Sequence, residues 1–505
     1  MWRKTFRGLL VTALALQSFF SGSLAMAQGK ENCLSVCRRA LSDTTFLYYT
    51  DFAHYPRALQ HLPVAVFDSG TGGFTVLEKI LSLDCFDNQT GAKQPDGIPD
   101  FLHEDFQYLA DQANMPYGRY AAEGKEEYLR ELAVKDALFT MNDFYWTDET
   151  QSEPTGRKLP AKIIVIACNT ATAYGLEPIS RMLEQAGHPL RVIGVVNAGV
   201  SSTLEGVSPS ATRAAIGVLA TPGTISSGVY ERTLLSQAAK THARLALQVV
   251  NQPGYGFAEA VDEEREFVDR QLQTFSDDYR GPAFGHADED IHPELLDAYR
   301  FDFSEGKAFI QYDAEGRPRR IQLNSADNYA RFNLLNLLEK ARQSALSSPI
   351  EAIILGCTHY PFLLDTLHRH LQELRAFTDG DGNRPYAPLI AESCRFIDPA
   401  QRTAYECYRA LREGGILNPQ QQEGSLQPFI SRPSVCLSDS CKDAEGNLTY
   451  AFKYGRQAGT DELTTVVVPF SARSIRQDHL ERIARLLPLC HGKIRQAMGG
   501  VSIKN

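Results

Sequence analysis

The sequence predicts an α/β protein, and three observations predict it. Four short apolar runs, Pro63–Phe67, Lys162–Ala167, Ala215–Leu219 and Ala352–Leu355, are bounded by turn residues. Continuous runs of this length suit parallel strands covered on both faces. Each run leads at once into a helical stretch: Thr75–Leu83, Thr172–Ala186, Ser226–Ala239 and Phe362–Leu374 respectively. Strands alternating with helices are the α/β signature. The third observation is that two of the runs continue alike, through a small residue, a cysteine and two polar residues into a helix.

Taken in chain order, the first element is a targeting segment. Arg3, Lys4 and Arg7 precede the short apolar run Leu9–Phe20, and Ala25-Met26-Ala27 supplies a small-residue cleavage site. The run falls short of the ~20 residues that span a bilayer. The expectation is a signal peptide over 1–27, no membrane association after its removal, and a periplasmic or secreted protein. The formal net charge of the 505-residue chain is −10. That balance argues against a nucleic-acid partner, which calls for basic patches. An oxidising compartment favours disulfides. Of the ten cysteines, Cys33 and Cys37 are near neighbours, as are Cys436 and Cys441, and either pair could close a small loop. The connectivity stays open.

After the first strand comes Phe67-Asp68-Ser69-Gly70-Thr71-Gly72-Gly73. Its glycines let backbone approach a ligand closely. They lack the Gly-x-Gly-x-x-Gly spacing of a dinucleotide site. Asp68 and Ser69 offer a carboxylate for an ammonium group and a hydroxyl. Gly194–Val196 reads as a further strand. Between these units lie long polar segments that read as insertions: 84–105, 142–158, 263–349 with a helix over Ala326–Ser344, 378–388, and 414–462. In the first of them, Asp96, Asp100 and Glu104 surround a Gly turn, with Asp84 or Asp87 before it. Hard oxygen ligands of this kind suit calcium, and the alternative is a solvated loop. Asp379–Asn383 reads as a turn, and no His/Cys spacing reads as zinc.

The chemistry is carried by Cys168 and Cys357. Ile163–Ala167 precedes Cys168-Asn169-Thr170, and Ala352–Gly356 precedes Cys357-Thr358-His359. Both thiols fall where a strand ends and a helix begins, the place where open α/β sheets bind ligands. Helix N-terminal N–H groups favour a thiolate there. Two thiols facing one substrate can invert a carbon centre: one removes a proton and the other delivers one.

On these residues the chain resembles the aspartate/glutamate racemase superfamily, and within it the glutamate racemases. The matching stretches are VAVFDSGTGGFTVL (64–77), YLADQANMPYG (108–118), IVIACNTATA (164–173), IGVLATPGTISSGVY (216–230) and LGCTHYPFLL (355–364). The resemblance implies two similar α/β domains with parallel sheets and the active site in the cleft between them. On that pattern the first domain covers 28–195 and the second 196–368, while 369–505 returns to the first. It implies that Cys168 and Cys357 are the catalytic thiols, assisted by Asp68 and His359. Ser69, Pro116, Tyr117, Gly118, Asn169, Thr170, Thr224 and Thr358 would form the substrate cradle. It also implies a cofactor-independent racemase whose partner is a small amino acid, with the quaternary state open to a homodimer.

Glutamate is the expected substrate, because the aspartate branch carries Glu where this chain has His359. Aspartate or a broader substrate range, and a non-catalytic amino-acid-binding protein, are the alternatives. The chain departs from the family pattern in its length, in its export segment and in having Asn197-Ala198 where an acidic residue and a proline are usual. Gln252–Glu263 follows the family's acidic segment loosely, leaving Glu259 and Asp262 as alternative counterparts of an assisting glutamate.

Overall fold

The computed structural model describes residues 34–286, 290–460, 463–471, 473–475 and 477–499. The expected signal peptide and Cys33 lie outside the described residues. The chain enters a first sheet with β1 (Val64–Asp68), helix α1 (Phe74–Leu81) and β2 (Phe106–Ala110). Helices α2 (Tyr117–Ala122) and α3 (Glu126–Met141) lead to β3 (Ile163–Ile166), α4 (Asn169–Gln185) and β4 (Arg191–Gly194). Helix α5 (Val195–Glu205) crosses to a second sheet. There β5 (Arg213–Ala220), α6 (Pro222–Ser226), α7 (Val229–Thr241) and β6 (Ala246–Pro253) precede α8 (Phe257–Val261) and α9 (Ala326–Gln343). The second sheet is completed by β7 (Ile350–Gly356), α10 (Leu364–Ala376) and β8 (Ile390–Ile397). Helix α11 (Ala400–Glu413) returns the chain to the first sheet for β9 (Leu426–Pro433), α12 (Tyr450–Gly455) and β10 (Thr465–Pro469). Helices α13 (Gln477–Leu486) and α14 (Pro488–Ala497) follow.

The first sheet has the order β10-β9-β2-β1-β3-β4 and is parallel except for the β9/β10 pair. The second, β8-β7-β5-β6, is wholly parallel. Every residue of β1 and β3 is buried, which is why their sequences are apolar without alternation. One apolar core surrounds the first sheet, and two more cover the faces of the second. Among the described residues no helix is long and apolar enough to cross a membrane.

Several sequence expectations change here. Strand β8 pairs with β7, so the second sheet continues to Ile397 rather than handing over to the first at 369. The 263–349 segment is not all insertion. Helix α9 buries Phe332, Leu334, Leu335, Leu337 and Leu338 against the second sheet, and its polar outer face masks that role in sequence. Likewise the 414–462 segment contains β9, a parallel neighbour of β2. The strand expected at 194–196 ends at Gly194, which is extended (φ −110°, ψ 143°) and caps α5. A Cβ on Gly194 would sit 2.4 Å from Thr172 Cγ2, so β4 packs too closely on α4 for a side chain there.

In the loop that offered calcium or solvation as alternatives, the carboxylates are taken up by backbone and side-chain donors. Asp84 accepts from the Asp96 and Gly97 N–H groups, and Asp96 from those of Asn88 and Ile98. Asp100 accepts from Cys85 and Phe86 N–H, and burial pushes its carboxyl up to about 6. Glu104 is turned elsewhere, onto buried Lys162 at 2.5 Å and Asn418 N–H. The three carboxylates therefore serve three separate sets of donors. Among the described residues no cluster of three or more His, Cys, Asp or Glu side chains could hold a metal. Cys436 and Cys441 are unbridged, Cys441 Sγ lying 3.5 Å from Ser438 Oγ.

Candidate active site

Strands β1 and β3 are neighbours in the first sheet, and β5 and β7 in the second. Parallel pairing puts the carboxyl ends of each pair at one edge of its sheet. Asp68 and Cys168 therefore leave the first sheet side by side, and Thr221 and Cys357 leave the second. These two edges meet. Thr170 Oγ1 lies 2.8 Å from Thr221 Oγ1 and 3.0 Å from Thr224 Oγ1. Tyr230 donates to Asn169 Oδ1, and Tyr174 to the Gly223 carbonyl.

Glycines permit this approach. A Cβ on Gly72 would stand 2.7 Å from both His359 Cε1 and Thr358 Oγ1, across the junction. One on Gly118 would meet Thr221 Cβ at 2.7 Å.

The first thiol caps a helix. Cys168 precedes α4, and its Sγ accepts from the Ala171 N–H at 3.4 Å and faces Ser69 Oγ at 3.7 Å. Those contacts favour a thiolate, but burial and the adjacent Asp68 carboxylate outweigh them and push the thiol pKa up. Asp68 is fully buried, accepts from Gly70 and Gly73 N–H, and faces Thr358 Oγ1 at 3.5 Å. Burial raises its carboxyl against the opposing pull of His359.

The second thiol faces an imidazole. Cys357 Sγ lies 3.4 Å from His359 Nδ1, and His359 Nε2 lies 3.1 Å from Asp262 Oδ2. Burial opposes charge on His359, yet Asp262 and the Cys357 sulfur hold the ring well above its usual value. Asp262 is held well below the carboxylate range. Burial works against its ionisation, but His359 and Arg482 overcome it. Of the two acids left open by the sequence, Asp262 touches His359. Glu259 is in electrostatic reach of His359 and Arg119, with its carboxyl raised by burial.

Asp68, Ser69, Asn169, Thr170, Thr224, Thr358 and both thiols converge at this junction. Tyr117 does not offer its hydroxyl there. Its oxygen lies 2.5 Å from Asp111 Oδ2 and 2.6 Å from Asp136 Oδ2 inside the first domain. Pro116 caps α2, and Gly118 serves the contact with α6. Sequence reasoning missed Thr221, which lies in the same ATPGT motif as Thr224. It also missed Arg482, 220 residues from its partner Asp262 and without a local signal. A groove of about 650 Å³ opens elsewhere, between α4, β4, α5 and α11, and contains neither thiol.

Two thiols brought to one junction are groups that can take up and deliver protons. The first-turn N–H groups of α4 would favour a carboxylate beside them.

No family profile matches the chain. It is 33% identical over 180 residues to a glutamate racemase of Lysinibacillus sphaericus, which covers 36% of this chain and 51% of the relative. The chain thus spans about half the length of that relative. It is 22% identical over 384 residues to glutamate racemase 3 of Caldanaerobacter subterraneus, covering 76% of this chain and 91% of the relative. Among solved structures, a glutamate racemase isoform from Bacillus anthracis aligns with 74% of this chain and 89% of its own, at 21% identity and a TM-score of 0.42. One from Francisella tularensis in complex with D-glutamate covers 73% and 89%, at 21% identity and a TM-score of 0.41.

Proposed function

We propose that this relative of the glutamate racemases is itself an amino-acid racemase, exported from the cytoplasm, that interconverts L- and D-glutamate. The observation that carries the reading is the pairing of Cys168 and Cys357. They stand at equivalent strand ends of two largely parallel sheets that meet edge to edge, each with its own polar partners.

In one direction a thiolate at one strand end takes the α-proton, and the thiol at the other donates its proton to the opposite face of the carbon. The first sulfur ends as thiol and the second as thiolate, so protons balance and the reverse reaction uses the same groups. No cofactor enters this scheme. The α-proton is weakly acidic, so the developing negative charge needs fixed donors. In this reading the N–H groups opening α4 and the hydroxyls of Thr170 and Thr358, released from Thr221 and Asp68, provide them.

The test is proton exchange. The purified full chain is incubated in D2O with L-glutamate, D-glutamate and, separately, the aspartate enantiomers. Loss of the α-proton signal is followed by NMR, and optical activity by circular dichroism. Exchange with loss of optical activity is expected, faster for glutamate. Binding without exchange would make the protein a capture module, and faster aspartate turnover would move the substrate assignment.

A further inference from the structure

Arg482 lies on α13, well beyond the last strand of the first sheet, yet its guanidinium ends against the second domain. Nη2 donates to Asp262 Oδ1 at 2.5 Å and Nη1 to the Val261 carbonyl at 2.6 Å. The side chain is largely buried, with the Phe362 ring 5.4 Å away. The helix that carries it is anchored on the first domain. Helix α13 packs on α14, which packs on α1 and β9. The Leu489 and Cys490 N–H groups at the start of α14 donate to Glu78 of α1 at 3.1 and 2.8 Å. Arg482 therefore ties the first domain to Asp262, the one carboxylate among the described residues that touches His359.

The charges explain why the tie matters. Asp262, a Cys357 thiolate and a His359 imidazolium would together leave one uncompensated negative charge in a buried site. Burying unbalanced charge is costly. Arg482 supplies the second cation. The other groups facing these charges include Asp68 from β1, Cys168 before α4, Tyr230 on α7, Tyr360 after β7, Glu259 and Glu264 at α8, His479 on α13 and the Tyr108 hydroxyl. Burial disfavours ionisation of Asp68, Glu259 and Glu264, so they add little fixed charge, whereas Asp262 stays ionised.

We propose that Arg482 is a positioning residue for the proton-transfer pair: it reaches across from the first domain, holds Asp262 in place, and balances the charge of a Cys357 thiolate paired with a His359 imidazolium. This rests on the racemase reading for its kinetic readout but not for its chemical one.

The test uses the full chain with Arg482→Met and Arg482→Lys. Two profiles are recorded against pH: kcat/KM for racemisation, and site-resolved alkylation of Cys357 by iodoacetamide. In Arg482→Met, kcat/KM at pH 7 should fall at least tenfold. Its low-pH limb and the Cys357 labelling midpoint should both move upward by about one unit, the equivalent of roughly 1.4 kcal/mol. Arg482→Lys keeps the cation but lacks the planar two-armed geometry that reaches Asp262 and the Val261 carbonyl from separate nitrogens, so its midpoints should stay near wild type while its rate falls. A uniform loss of rate in Arg482→Met with an unmoved labelling midpoint would reduce Arg482 to a structural clamp and overturn the proposal. Should Arg482→Met fail to fold, a moved midpoint in Arg482→Lys overturns it and an unmoved one with reduced rate supports it. A wild type that racemises nothing would sink the racemase reading alone, since the labelling profile of Cys357 decides the charge argument without substrate.

Discussion

The two thiols stand at matching points of matching sheets, and their surroundings do not match. Cys168 is served by backbone: the Ala171 N–H of its own helix, with the Ser69 hydroxyl alongside and Asp68 nearby. Cys357 is served by a chain of charged side chains, His359, Asp262 and Arg482. One side relies on fixed dipoles that need no titration, the other on a protonatable ring held in place by a carboxylate. On the proposed racemase reading, a site that handles mirror-image substrates need not be built from mirror-image parts. Enantiomers have equal free energy in water, so kcat/KM must be equal in the two directions whatever the asymmetry. The difference between the two sides can appear only in kcat and KM separately, in isotope effects and in pH profiles.

The largest effect should come from removing either sulfur. Cys168→Ala and Cys357→Ala should each lower glutamate racemisation by about 10³-fold or more, beyond the range of a lost hydrogen bond and within that of a lost acid–base group. Circular dichroism of the substrate measures it. Substantial activity in either variant would falsify the two-thiol scheme.

Next come the charged partners of Cys357. His359→Asn should cost roughly 10²-fold in kcat. Asp262→Asn should also destabilise the fold, because it strips a buried carboxylate from two cations. His359 has a raised folded value, so its contribution is complete below about pH 6.5 and is lost as pH rises toward that value. Asp262 has a depressed one, so its contribution is present above about pH 3.9 and is lost as pH falls. The gap in unfolding free energy between wild type and Asp262→Asn should therefore be widest from about pH 4 to 6.5, at about 3–5 kcal/mol. Urea titrations across pH measure it, and a gap that kept widening to pH 9 would contradict the ion pair.

A smaller change tests the closeness of the two edges. Gly72→Ala would press a methyl against His359 and Thr358 on the opposite side. Overpacking of this kind costs about 1–3 kcal/mol, so kcat/KM should drop at least about fivefold. Wild-type kinetics in that variant would mean the edges part readily.

The smallest effect is expected at Ser69. Its contact with Cys168 is long, at 3.7 Å, and neutral. Ser69→Ala should change kcat by less than about tenfold, in line with one weak hydrogen bond. A loss matching that of His359→Asn would erase the contrast between the two sides.

What the sequence by itself determined was local. Strand, small residue, cysteine and helix form one short continuous pattern, so Cys168 and Cys357 were legible at their strand ends, as were Asp68 after β1 and His359 two residues beyond Cys357. The α/β class followed from the same alternation. The roles that needed tertiary structure depended on residues far apart in the chain. Asp262 was one of two acids within four positions, and only the packing of α8 against His359 distinguished it from Glu259. Tyr117 sat in a motif beside the site, but two buried carboxylates drew its hydroxyl inward. Strand β9 was hidden in a polar stretch, and helix α9, legible as a helix over Ala326–Ser344, gave no sign of its core role, because each has neighbours supplied by distant segments. Arg482 had no readable signal at all, since a guanidinium on an amphipathic helix looks like any solvated charge until the fold brings a buried carboxylate to it. Periodicity and turn chemistry act over a few residues and leave a trace in sequence, whereas charge pairing across a domain junction is decided by three-dimensional distance.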